Sequence, residues 1–134
     1  MNDSLWWFVS RASGIVAVVL LVLSTVWGVL LSTRFLRPHD RPAWLLAVHG
    51  WLGGFAVTMT GLHLAGLALD GYVTFGWAEL FVPGASPYRP VAVAVGVVAM
   101  YLLVAIQLTA VFRRRLPPRV WKSMHMTSYL VVWA

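Results

Sequence analysis

The chain contains no cysteine, and among its 134 residues only Asp3, Asp40, Asp70 and Glu79 are acidic. The first absence excludes disulfides, thiolate metal sites and thiol redox chemistry. The second is a matter of position as much as number. None of the carboxylates lies inside an apolar run, so a proton relay or a cation transporter would lack its usual intramembrane acids. No glycine-rich dinucleotide loop is present either, so any reductant must arrive through a partner or through further sequence. The opening Met-Asn-Asp-Ser lacks the basic region of a secretory signal, and the apolar run behind it is longer than a signal core. That run is therefore read as a retained span.

Apolar residues are what the chain has in excess. They make up 60% of it, charged residues 10%, and the mean hydropathy is +0.81, well outside the range of soluble domains. Four apolar runs can be marked off, at 14–33, 43–69, 91–112 and 120–134. The first three are long enough for the roughly 20 residues that cross about 30 Å of hydrocarbon. The fourth is shorter and still apolar at Trp133. A helix stopping there would end inside the bilayer with unsatisfied carbonyls, so the expectation is a truncated last span and a longer natural chain. The fold class that follows is all-α. One domain over 1–134 forms an integral membrane bundle of four transmembrane helices, with a short interfacial segment at 75–82 between the second and third. Trp6, Trp7 and Phe8 suit the headgroup belt ahead of the first span. Arg11, at the edge of that span, is expected to snorkel or pair locally.

The net charge of +6 could suggest nucleic acid, but its distribution has a simpler cause. Arg34, Arg37 and Arg41 lie between the first two spans, and Arg113, Arg114, Arg115, Arg119 and Lys122 between the last two. The intervening connection holds Asp70, Glu79 and Arg89. Alternate connections fall on alternate sides, so both basic ones are expected in the cytoplasm and the N-terminus outside. The partner this implies is the lipid bilayer, with no nucleic acid.

Against that background the histidines stand out. His49 and His63 lie fourteen residues apart in the second span, which leaves them within about 40° of one helical face and about 21 Å apart along the axis. One would sit near each membrane surface. Gly53, Ala56 and Thr60 follow His49 on that line and are all small, a strip against which a large flat ligand could lie. His125 sits about one and a half turns into the fourth run, a depth matching that of His49. Two neutral imidazoles at equal depth on different helices can take the two faces of one haem iron, which favours electron transfer over oxygen binding. The competing reading is that the histidines serve as interhelical polar glue, and small residues also mark ordinary close packing. His39, between Arg37 and Asp40, reads as a solvated loop histidine, the third span as scaffold, and Met59, Met100, Met124 and Met126 as packing.

The His49–His63 spacing, the passage from Val82-Pro83 through Ser86-Pro87-Tyr88-Arg89-Pro90, and His125 after a basic proline-containing loop resemble the ferric reductase-like transmembrane domain. That superfamily includes NADPH oxidases, metalloreductases and the haem-bearing membrane subunit of a bacterial methionine sulfoxide repair system. The outer-loop wording is most similar to the short bacterial members. The resemblance implies two b-type haems stacked across the bilayer, passing electrons from a cytoplasmic donor to an outer acceptor. By position, His49 and His125 match ligands of the inner haem and His63 one ligand of the outer haem. The fourth histidine of the pattern is expected roughly thirteen or fourteen residues beyond His125, matching the axial spacing on the second span. The flavin and nicotinamide domain of the larger members is not in this sequence, so a cytoplasmic flavoprotein or other donor and a periplasmic or extracellular acceptor are the expected partners. Two readings stand beside the relay: a haem-free membrane anchor or assembly subunit, and a quinone-reactive cytochrome with Trp51, Tyr129 and the outer loop lining a pocket.

Overall fold

The computed structural model describes residues 3–33, 35, 42–71 and 73–133. The elements are α1 (Asp3–Thr33), α2 (Pro42–Leu69), α3 (Trp77–Phe81), α4 (Pro90–Val111), α5 (Pro118–Met126) and α6 (Ser128–Trp133). All the described secondary structure is helical, and three helices, α1, α2 and α4, are long and apolar enough to cross a membrane. The turn expected around His39, with Arg34, Arg37 and Arg41, lies outside the described residues.

Two boundaries differ from the hydropathy reading. α1 begins at Asp3 and not at 14, so Trp6, Trp7 and Phe8 belong to its first turns. Its 31 residues would extend about 46 Å, well beyond the hydrocarbon thickness, which lets an aromatic first turn and an apolar centre share one helix. Arg11 pairs locally, its guanidinium carbon 4.2 Å from the Trp7 ring centroid.

The second difference is a break in the fourth apolar run at Thr127. The Thr127 N–H donates to the Met124 carbonyl at 3.2 Å and the Leu130 N–H to the Thr127 carbonyl at 3.0 Å, both tighter than α-helical steps. The Thr127 hydroxyl also donates to the Met124 carbonyl, at 2.6 Å. A hydroxyl that takes a helix carbonyl competes with the ladder and bends the chain at that point.

α1 and α2 pack antiparallel along most of their length. The Trp27 indole donates to the Leu45 carbonyl at 2.9 Å near one end. Near the other, Gly66 meets the backbone of Ser10 so closely that a Cβ would lie 2.9 Å from its Cα. Close backbone approach at small residues is how helices gain contact where burial from water supplies no drive. α4 packs on α2, and α6 packs on α4 and α1, so the order around the bundle is α1, α2, α4, α6. Leu103, Ile106 and Val131 form the buried cluster at its centre, with Leu21 and Val57 against it. The outward face is apolar as well: Ile15, Val18 and Leu130 are each at least 60% exposed, as a lipid-facing surface requires.

The end opposite the basic connections is closed by α3. Its Leu80 is buried, and the Tyr101 hydroxyl donates to the Phe81 carbonyl at 2.8 Å, tying α3 to α4. The buried Ser86 hydroxyl donates to the Tyr88 carbonyl at 3.0 Å and accepts from the Tyr88 N–H at 3.2 Å. The chain then turns through Arg89 in a left-handed conformation, φ 43°, and Pro90 opens α4 with its φ already set for a helix.

Candidate functional site

α2 and α5 lie diagonally across the bundle and their backbones do not approach one another, yet their imidazoles meet. The ring centroids of His49 and His125 are 5.7 Å apart, with 77° between the planes. A transition-metal ion holds an imidazole nitrogen at about 2 Å, as for zinc, and the ring centre lies roughly 1 Å behind it, so two imidazoles on opposite sides of one ion have centroids about 6 Å apart. The observed spacing is compatible with that arrangement, and it is also that of two rings meeting edge to face.

The surroundings of each ring are built by different helices. α1 forms the wall beside His49: the Ser24 hydroxyl is 3.4 Å from Nδ1, and a Cβ on Gly28 would lie 3.2 Å from Cε1. On the other side, Trp121 stacks on His125 with centroids 5.2 Å apart and planes 17° apart. The Nδ1 of His125 and the Nε1 of Trp121 are buried and have no hydrogen-bond partner among the described residues.

His63 occupies the opposite end of α2 in a matching setting. Its Nδ1 lies 2.6 Å from the Ser10 carbonyl oxygen, and a Cβ on Gly14 would lie 2.9 Å from that nitrogen. A carbonyl can only accept, so Nδ1 is the donor, which leaves Nε2 as the nitrogen that could face a metal. Metal-ligating histidines are held in this way, by a backbone acceptor on the far nitrogen. Beside His63 is a cavity of about 390 Å³ between α1, α2, α3 and α4, whose lining includes Thr60, Arg11, Arg89, Glu79 and Asp70. His63 has no second histidine facing it among the described residues.

The Gly53, Ala56, Thr60 strip is divided by the packing. Ala56 is completely covered. A Cβ on Gly53 would lie 3.0 Å from Oε1 of Gln107 on α4. Thr60 returns its hydroxyl to the Ala56 carbonyl at 2.8 Å and borders the cavity at His63. Trp51 stacks on Phe55 and is largely exposed, while Tyr129 lies on α6; neither lines that cavity.

Several residues around the rings were not singled out by hydropathy or histidine spacing: Ser10, Gly14, Ser24, Gly28 and Trp121. A signal for four of them was present. Ser10 and Gly14 are repeated as Ser24 and Gly28 after fourteen residues, the same interval that separates His49 from His63. Antiparallel packing then sets one Ser-x-x-x-Gly unit of α1 against each histidine of α2.

Neither the curated proteins nor the solved structures contain a match to the chain. A family model does match: that of the ferric reductase like transmembrane component, over residues 13–134. The matched region contains all three membrane histidines, both basic connections and the α3 cap, so the chain belongs to the ferric reductase-like transmembrane family.

Proposed function

We propose that this membrane protein is a b-type cytochrome that relays electrons across the bilayer, from a cytoplasmic donor to an outer acceptor. One haem b is held between His49 and His125, and a second lies at His63 when further sequence supplies its partner ligand. The observation that carries the reading is the 5.7 Å separation of two imidazoles from helices whose backbones stand apart. The unpartnered Nδ1 of His125 adds to it, because a buried polar atom without a partner in the protein is what a missing ligand leaves behind. The donor set also suits a macrocycle. Among the described residues no cluster of three or more His, Cys, Asp or Glu side chains could hold a metal ion, whereas a porphyrin needs only axial ligands from the protein.

When bound, haem supplies a one-electron couple whose potential depends on its axial ligands and their hydrogen bonds. The chain's own residues do the rest. Ser10 fixes the His63 tautomer, Gly14 and Gly28 leave space for the two rings, and the covered centre around Ala56, Leu103 and Ile106 keeps water from the interval between the sites. By the positive-inside rule the basic connections support a cytoplasmic position for the His49–His125 site, in a bacterial inner membrane. Exposed Arg113, Arg114 and Arg115 suit docking of an acidic flavoprotein donor there. The chain is in this reading the transmembrane component of an oxidoreductase, with the flavin chemistry on a partner or in further sequence.

The test is optical. The full chain is purified from haem-replete cells and reduced with dithionite; a low-spin b-type α band that is lost in His49→Ala and in His125→Ala is the expected result. A colourless preparation of folded protein defeats the proposal and leaves the haem-free anchor.

A further inference from the structure

Of all the side chains described, two buried polar atoms lack a partner, and they belong to stacked rings one helical turn apart: Nε1 of Trp121 and Nδ1 of His125. They do not satisfy each other. Both nitrogens direct their proton or lone pair within the plane of their own ring, and the planes are nearly parallel at 17° with centroids 5.2 Å apart, so neither points at its neighbour. An indole N–H is a donor with no other role, and leaving it buried and unpaired is unfavourable. Trp121 lies against the ring of His125, on the same helix as Arg119 and Lys122, so a group held by that histidine would be its neighbour.

We propose that Trp121 is a positioning residue of the His49–His125 site in two respects. Its indole face fixes the plane of the His125 imidazole, and its Nε1–H donates to a carboxylate of the porphyrin bound there. The inference rests on the haem reading of that site and adds the contact that sets how the macrocycle is turned within it. His125, held on one face by Trp121, then keeps one ring orientation. Substitution of the indole removes the stack and the donor separately, according to what replaces it.

The experiment uses the full chain made in haem-deficient cells and titrated in detergent with haem b and with haem b dimethyl ester, whose carboxylates are blocked. Trp121→Phe keeps the stack and deletes the donor; Trp121→Leu deletes both. In Trp121→Phe the preference for haem over its diester is expected to fall about tenfold, the weight of one hydrogen bond to a charged acceptor. The low-spin electron paramagnetic resonance signal should stay as in the wild type. In Trp121→Leu that signal should also shift, because the imidazole plane is released. Equal preference in wild type and Trp121→Phe overturns the carboxylate contact, and an unshifted signal in Trp121→Leu overturns the stack. Wild-type protein that folds but binds neither compound removes the haem reading itself, and this proposal with it. Thermal melts of the unloaded variants show whether each has folded.

Discussion

Gly14 and His63 are matched across the α1–α2 interface: a Cβ at position 14 would lie 2.9 Å from the same Nδ1 that reaches the Ser10 carbonyl at 2.6 Å. Gly28 stands in the same relation to His49, with a looser fit of 3.2 Å to Cε1. The shared fourteen-residue interval of the glycines and of the histidines is what lets two straight antiparallel helices make the contact twice.

The difference between the two fits predicts unequal effects of one substitution. Gly14→Ala should displace the His63 ring and break its bond to Ser10, costing about 1–3 kcal/mol of stability, while His49 and His125 retain their spectrum. Gly28→Ala should be accommodated by a shift of a few tenths of an ångström, moving the potential of the haem proposed between His49 and His125 without loss of haem. Haem stoichiometry and redox titration of the two variants check this; haem lost equally from both would contradict it.

At Gly66 no side chain can yield, because the atoms a Cβ would meet include the Ser10 backbone. Gly66→Ala should therefore force α1 and α2 apart and lower stability by about 1–3 kcal/mol, more than the same change at Gly50 or Gly61, where nothing lies within 4 Å. Denaturant titrations of the three variants in one detergent decide the order.

Thr127 interrupts the last helix by giving its hydroxyl to the Met124 carbonyl. Thr127→Ala frees that carbonyl for an ordinary helical bond, and α5 and α6 should become continuous. Amide hydrogen exchange across 124–130 is expected to slow several-fold. Unchanged exchange would show that packing, and not the hydroxyl, makes the break.

Arg89 holds a left-handed conformation immediately before Pro90, at φ 43°. A non-glycine residue in that region carries on the order of 1 kcal/mol or more of strain, and glycine carries little. Arg89→Gly should raise stability by about 1 kcal/mol while removing a cation from the lining of the cavity at His63. A thermal melt gives the sign, and a fall in melting temperature would mean that the guanidinium contributes more than the backbone loses.

Much of this was legible along the chain. The three long spans, the interfacial α3, the proline that opens α4 and the depth of each histidine are local consequences of hydropathy, turn residues and helical rise. The fourteen-residue repeat of Ser and Gly on α1 was equally visible, but its meaning depends on which helix α1 meets and in which register. The break at Thr127 was concealed by an apolar run that continues on both sides of it. The start of α1 was displaced because Asp3, Ser4 and Arg11 are polar enough to end a hydropathy window and compatible with a helix that reaches past the hydrocarbon.

By itself the sequence determined that this is a membrane protein, how many long spans it has and how far apart two imidazoles stand on one of them, because hydropathy and a rise of about 1.5 Å per residue act within a single helix. Only the tertiary structure decided that His125 faces His49 across the diagonal, that α1 is the wall behind both histidines of α2, and that Trp121 covers the His125 ring. The reason is that lipid-facing and interior surfaces are alike apolar here. The pattern of residues does not mark an inner face, and the lateral order of the helices follows from where small residues let backbones approach.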